Sequence, residues 1–165
     1  MPTDVVLYLA DPGFATAVTD QVRERFPGQT APIEVAGNPT AWPYSQALVF
    51  ATDTPRDKLA SYVDTICRDR KLPWLPFTMD ATTIRVGPAI LPGHTASYDC
   101  YLRRGRQHGV LRAERELPEG VQLGYTSHDV QLTAGLVEAY LVALLSETDD
   151  PLLGTVTDVD LVSGG

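Results

Sequence analysis

Apolar positions along the chain fall into two kinds of run. Val5–Ala10 and Ala47–Thr52 are continuous and of strand length, the pattern of strands buried on both faces. Elsewhere the apolar residues recur every three or four positions. Phe14, Ala17, Val18, Val22 and Phe26 predict a helix over Phe14–Phe26, stopped by Pro27–Gly28. Leu59, Tyr62, Val63, Ile66 and Cys67 predict a second over Arg56–Lys71, just after Pro55. The clearest helix is Thr126–Glu147. Thr126 and Asp129 fit a capping box, and Leu132, Leu136, Val137, Tyr140, Leu141, Leu144 and Leu145 form one stripe. Ala31–Ala36, Trp74–Met79, Thr83–Leu91 and Thr155–Val162 read as further strands, with Asp80–Ala81 as a hairpin turn. Gly37–Ser45 reads as loop, and Gly109–Arg115 and Val121–Tyr125 as strand or loop. The order predicts an α/β sheet, parallel at first and antiparallel later, in one domain over residues 1–165.

Composition narrows the function. Apolar content of 44 % and charged content of 21 % are ordinary for a globular protein. No apolar run reaches the roughly 20 residues that span a bilayer, and no secretory signal precedes Val5, so a cytoplasmic protein is expected. A net charge of −8 argues against nucleic-acid binding. The charge is uneven: Arg103, Arg104, Arg106, Arg112 and Arg115 are five of the 13 basic residues. That run is either a solvated loop or a docking patch for an acidic peptide or partner. Cys67 and Cys100 are too few for a disulfide scaffold, and Cys67 reads as a small buried filler.

The stretch Val86–Arg104 joins an apolar run to a Pro-Gly break, a tight polar loop and a basic exit. Its core, Pro92-Gly93-His94-Thr95-Ala96-Ser97-Tyr98-Asp99-Cys100-Tyr101-Leu102-Arg103, resembles the zinc-site motif of the ThiF/MoeB family of adenylating proteins. It is closer still to P-G-x-T-A-C-Y-x-C-L-x-R in degenerate ThiF-like proteins of azoline-forming peptide clusters. The resemblance extends from about Ala47 to Val162. It takes in the strand ending at Thr52–Asp53, the step Leu72-Pro73-Trp74-Leu75-Pro76, and the closing helix with Pro151-Leu152-Leu153-Gly154.

The resemblance implies a Rossmann-like, ThiF-type three-layer sandwich, truncated and lacking room before Val5 for a leader-binding winged-helix module. It also implies a glycine-rich phosphate loop, a magnesium-holding Asp and a four-thiolate zinc site. This chain departs from each. The loop after the first strand is Asp11-Pro12-Gly13, with one glycine, one residue lacking an N–H, and an acid where phosphate would lie. Asp53 matches the magnesium Asp, but an Asp at a strand end is equally a turn residue or a cap for the helix beginning after Pro55. Ser97 replaces the first zinc cysteine, leaving Cys100 and a loop histidine, His94, short of a tetrahedral set. No cofactor is therefore expected. Ser127-His128-Asp129 is expected to cap a helix rather than act as a triad, since no G-x-S-x-G elbow is present. Cys100 beside Arg103 and Arg104 stays open as a thiol nucleophile. Trp42, Tyr44, Trp74 and Phe77 are expected as core or loop anchors.

The role the resemblance implies is a non-catalytic scaffold or accessory subunit in the biosynthesis of a ribosomally made, modified peptide. Its expected partners are a YcaO-type cyclodehydratase or dehydratase, the precursor peptide and a second copy of itself. The alternative is a divergent nucleotide-binding or thiol enzyme using Asp53 or Cys100.

Overall fold

The computed structural model describes residues 5–80, 82–107, 125–146 and 150–160. A six-stranded sheet runs through it in the order β2-β1-β3-β4-β5-β6. The strands are β1 (Val6–Ala10), β2 (Gly28–Pro32), β3 (Ala47–Thr52), β4 (Trp74–Asp80), β5 (Thr83–Val86) and β6 (Thr157–Asp160). The first four are mutually parallel, and β5 and β6 add antiparallel, so the predicted change of direction lies at the β4–β5 hairpin.

Alternation along the strands builds two cores. Val6, Tyr8 and Ala10 of β1, with Ala47, Val49 and Ala51 of β3, face helices α1 (Phe14–Val22) and α4 (Ser127–Leu145). Leu7, Leu9, Leu48, Phe50 and Trp74 face the other way, towards α2 (Asp57–Arg70), α3 (Tyr98–Gln107) and a 3₁₀ turn at Ile33–Gly37. Helices therefore cover both faces, the arrangement that continuous apolar strands require.

Several boundaries differ from the sequence reading. The second strand lies earlier than Ala31–Ala36. Pairing starts at Gly28, where a Cβ would sit 1.8 Å from the Val6 carbonyl oxygen, and Ile33 and Ala36 reach the core from the 3₁₀ turn instead. The first helix ends at Val22, although turns continue to Phe26, whose amide bonds the Val22 carbonyl at 2.9 Å. The strand expected over Thr83–Leu91 stops at Val86, because Pro88 has no N–H to extend a ladder; Ala89 and Ile90 make isolated bridges to Leu153 and Trp74. The segment from Tyr98, read as a charged exit, is helix α3. Ser97 Oγ accepts the Cys100 amide hydrogen at 3.2 Å, while Tyr98 and Leu102 turn inward one above the other.

The last helix keeps its predicted start. Thr126 Oγ1 accepts from the Asp129 amide and Asp129 Oδ2 accepts from the Thr126 amide, which completes the capping box. Val137, Tyr140, Leu141 and Leu144 of its predicted stripe are buried and Leu136 and Leu145 pack against the core, but Leu132 is 40 % exposed, and Val130, Thr133 and Ala134 complete the buried side. Trp42, Trp74 and Phe77 are buried as expected, but Tyr44 stands 90 % exposed. Gly109–Arg115 and most of Val121–Tyr125 lie outside the described residues.

Candidate functional site

The sheet reverses its direction of growth between β1 and β3, because β2 lies on one side of β1 and all later strands on the other. In open α/β sheets the crevice beyond the carboxyl ends of two such strands is where ligands bind. Here that crevice is held by Asp11, after β1, and Asp53, after β3.

Asp11 is 4 % exposed and fully engaged. Its carboxylate accepts two bonds from Arg56, from Nε at 3.2 Å and from a terminal guanidinium nitrogen at 3.0 Å, and a third from the Asp53 amide at 3.0 Å. Its own amide bonds the Ala51 carbonyl oxygen, and its carbonyl accepts from Thr16 Oγ1 at 2.7 Å. Asp53 Oδ1 accepts the Ala15 amide hydrogen at 2.8 Å. Asp53 is thus a helix cap, but of α1 from across the sheet, not of the helix that follows Pro55. That second helix has Arg56 at its N-cap position with no side-chain capping bond. Gly13, the residue at the α1 N-cap, has φ +111° and ψ −125°, and a Cβ there would lie 2.9 Å from Asp53 Oδ2. Only glycine fits that combination. Burial is the main force raising the Asp53 carboxyl above its usual range. The Ala15 bond opposes it, the Asp11 charge adds to it, and Arg56 opposes it.

Chemically, the seat that a helix N-terminus offers to phosphate is taken by a resident carboxylate. The second carboxylate, Asp11, holds the Arg56 guanidinium. A unit negative charge brought within about 4 Å of such a carboxylate meets about 4 kcal/mol of repulsion near a protein surface.

A second cluster joins α2, β4 and α3. Asp64, 2 % exposed, accepts from Trp74 Nε1 at 3.1 Å, from the Tyr98 amide at 3.2 Å and from Arg68. A shallow crevice beside it is lined by Arg68, Pro92, Thr95 and Ser97. Cys100 lies exposed in the first turn of α3. Ser97 is the main influence lowering its thiol pKa, through a side-chain hydrogen bond; Arg103 and Arg104 add to the effect. Asp64 carries no motif, and a reader of the sequence meets it only as a polar residue on the wrong face of a helix.

The other expected site residues are scattered. Arg103 and Arg104 are exposed on α3, and Arg106 lies on the same helix. Arg112 and Arg115 lie outside the described residues. His94 sits in the turn after Leu91 with its amide on the Leu91 carbonyl oxygen, and Ser127 and His128 open α4. No three His, Cys, Asp or Glu side chains converge among the described residues.

Comparison with solved structures settles the architecture. A heterocyclase in complex with substrate and cofactor superposes with a TM-score of 0.61 at 19 % identity, over 97 % of this chain and 23 % of its own. The heterocyclase TruD gives 0.55 at 18 %, over 99 % of this chain and 25 % of its own. E. coli MccB gives 0.65 at 10 %, over 96 % of this chain and 60 % of its own. The chain has the MccB fold. It spans about a quarter of the heterocyclases' length, and identities this low speak for the fold alone. MccB has also been captured with ATP and, as the microcin C7 biosynthetic enzyme, with N-formylated MccA. No protein-family model and no curated protein matches the chain.

Proposed function

We propose that this chain is a nucleotide-blind, ThiF-type accessory domain in the biosynthesis of a ribosomally made, modified peptide. It scaffolds a YcaO-type cyclodehydratase or dehydratase, helps to present the precursor peptide, and pairs with a second copy of itself. The observation that carries the reading is the Asp11–Arg56–Asp53 assembly. The crevice in which such a sheet binds ligand is filled by bonds the chain makes to itself. A domain that cannot seat a triphosphate keeps its outer surfaces, and function then lies in what those surfaces meet. The fold it shares with a heterocyclase and with the microcin C7 biosynthetic enzyme MccB supports the peptide-biosynthetic setting. Among the described helices none is long and apolar enough to cross a membrane, which fits a partner in solution.

The basic run is the surface assigned to the peptide or partner enzyme: Arg103, Arg104 and Arg106 on α3, with Arg112 and Arg115 beyond it. The test is affinity capture from the producing host, with the chain intact and with all five arginines changed to glutamine. The intact chain should retain a modifying enzyme or precursor peptide and the neutralised chain should not. Equal capture by both would remove the basic run from the account.

One observation favours a second reading, a thiol enzyme. Cys100 is exposed, sits at a helix start and has a lowered pKa. Cys100→Ala separates the two. The accessory reading expects full pathway activity from that variant; the thiol reading expects none.

A further inference from the structure

The crevice between α2 and the entry to α3 has no part in the function proposed so far. Its volume is about 80 Å³, well below the roughly 300 Å³ and more of a pocket that encloses a whole ligand. It has room for one small group. Arg68 of α2 lines it, together with Pro92, Gly93, Thr95, Ala96 and Ser97 from the turn that leads into α3.

Three observations say what chemistry fits. Arg68 is a cation held in place. Its side chain is 52 % exposed, yet its Nη2 is tied to Asp64, whose side chain is 2 % exposed. The acid therefore lies inside and the cation outside. The other N–H groups of that guanidinium have no acceptor among the described residues. Fixed at one corner, a guanidinium offers its remaining edge as a planar fork, which the two oxygens of a carboxylate match. Next, nothing in the crevice competes for the fork. Among the described residues the only acid lining it is Asp64, which already accepts from Arg68, Trp74 Nε1 and the Tyr98 amide. Thr95 Oγ1 is used within its own turn, accepting from the Leu91 amide at 3.2 Å and donating to the Ala96 carbonyl oxygen at 3.2 Å. Finally, the surroundings are cationic in a chain of net charge −8. The exposed residues of the last turn of α2, its C-cap and α3 include Arg68, Arg70, Lys71, Arg103 and Arg104, against Asp69 and Asp99. Such a face draws in and orients an anionic partner. A lone carboxylate in so small a seat gains too little to be held by itself. The rest of the binding has to come from what carries it, which favours a side chain of a polypeptide over a free acid.

We infer that the Arg68 crevice seats one aspartate or glutamate side chain of an acidic polypeptide. The guanidinium fork is the anchor, and the cations of α2 and α3 supply the surrounding field. This rests on the reading that the chain meets a peptide or partner enzyme, and it adds a seat for a single carboxylate that lies outside the basic run.

Fluorescence anisotropy tests it, with a labelled, end-capped peptide of alternating glycine and glutamate and with its glutamine counterpart. The chains compared are wild type, Arg68→Gln, Ala96→Glu and a control, Arg70→Gln, whose guanidinium lies over the Trp42 ring. Each substitution lowers the net charge by one, so a loss of general field weakens all three alike. Ala96 is exposed at the crevice, and glutamate there brings a competing carboxylate while leaving the Asp64–Arg68 pair intact. It keeps the test decisive if Arg68→Gln disturbs the fold, which circular dichroism checks. Wild type should bind the glutamate peptide and not the glutamine one. Both crevice variants should bind about tenfold or more weakly, and the control within about twofold of wild type. Equal weakening in all three variants overturns the seat and leaves the basic face in place. Equal binding of the two peptides, or binding of neither by folded wild type, also overturns the seat. Capture of a partner from the producing host then decides separately whether the accessory reading stands.

Discussion

Gly13 and Asp53 decide what the crevice can do. Gly13→Ala puts a Cβ into a left-handed backbone and against a carboxylate at 2.9 Å, so it should lower stability by about 1–3 kcal/mol in urea titration. Asp53→Ala removes the α1 cap and should cost about 1 kcal/mol. Asp53→Asn keeps an acceptor for the Ala15 amide and should cost less. The carboxyl's raised pKa gives a signed pH effect. The folded state holds the Asp53 proton to higher pH than the unfolded chain does. Stability from this group is therefore greatest below the ordinary carboxylate range and falls as pH rises through the raised value. Urea midpoints measured from acid to neutral pH should show that fall in wild type and lose it in Asp53→Asn. At the other end of the molecule, Ser97→Ala should move the midpoint of Cys100 alkylation to higher pH, since Ser97 is the main influence lowering that thiol. The poverty of the Asp11-Pro12-Gly13 loop was legible in the sequence. Which helix Asp53 caps was not, because that depends on β1 and β3 lying side by side.

Elements were legible where one local rule acted alone. The α4 start followed from Thr126 and Asp129, and Thr126→Ala should cost about 1 kcal/mol. Its buried stripe was legible from Leu136 to Leu145, and only Leu132, one turn earlier, points out where Val130, Thr133 and Ala134 pack instead. Helix α3 was hidden by its own resemblance. Read as a lost zinc ligand, Ser97 drew the eye from its capping role, and the basic run masked the Tyr98–Leu102 pair. Three residues of α2 hold α3: Asp64 through the Tyr98 amide, Asp57 through the Tyr98 hydroxyl and Ser61 through Asp99. Asp64→Ala leaves Trp74 Nε1 and that amide without their partner in a buried setting, and should cost about 3 kcal/mol or more in urea titration. Asp64→Asn, which retains an acceptor, should lose less.

At the scale of the whole molecule the sheet order places the β1–β3 crevice, on which the proposed function rests. The continuous apolar runs of β1 and β3 made the two-sided core readable. The 3₁₀ turn at Ile33–Gly37 was not readable, because Gly28 takes up the strand pairing earlier than the apolar run suggests. The molecule that results has an MccB-like sheet with Asp53 on the α1 terminus and Arg56 turned onto Asp11. Isothermal titration calorimetry with ATP and magnesium tests that claim most directly. The account predicts no heat of binding to the wild-type chain. Saturable binding that disappears in Asp53→Ala would contradict it.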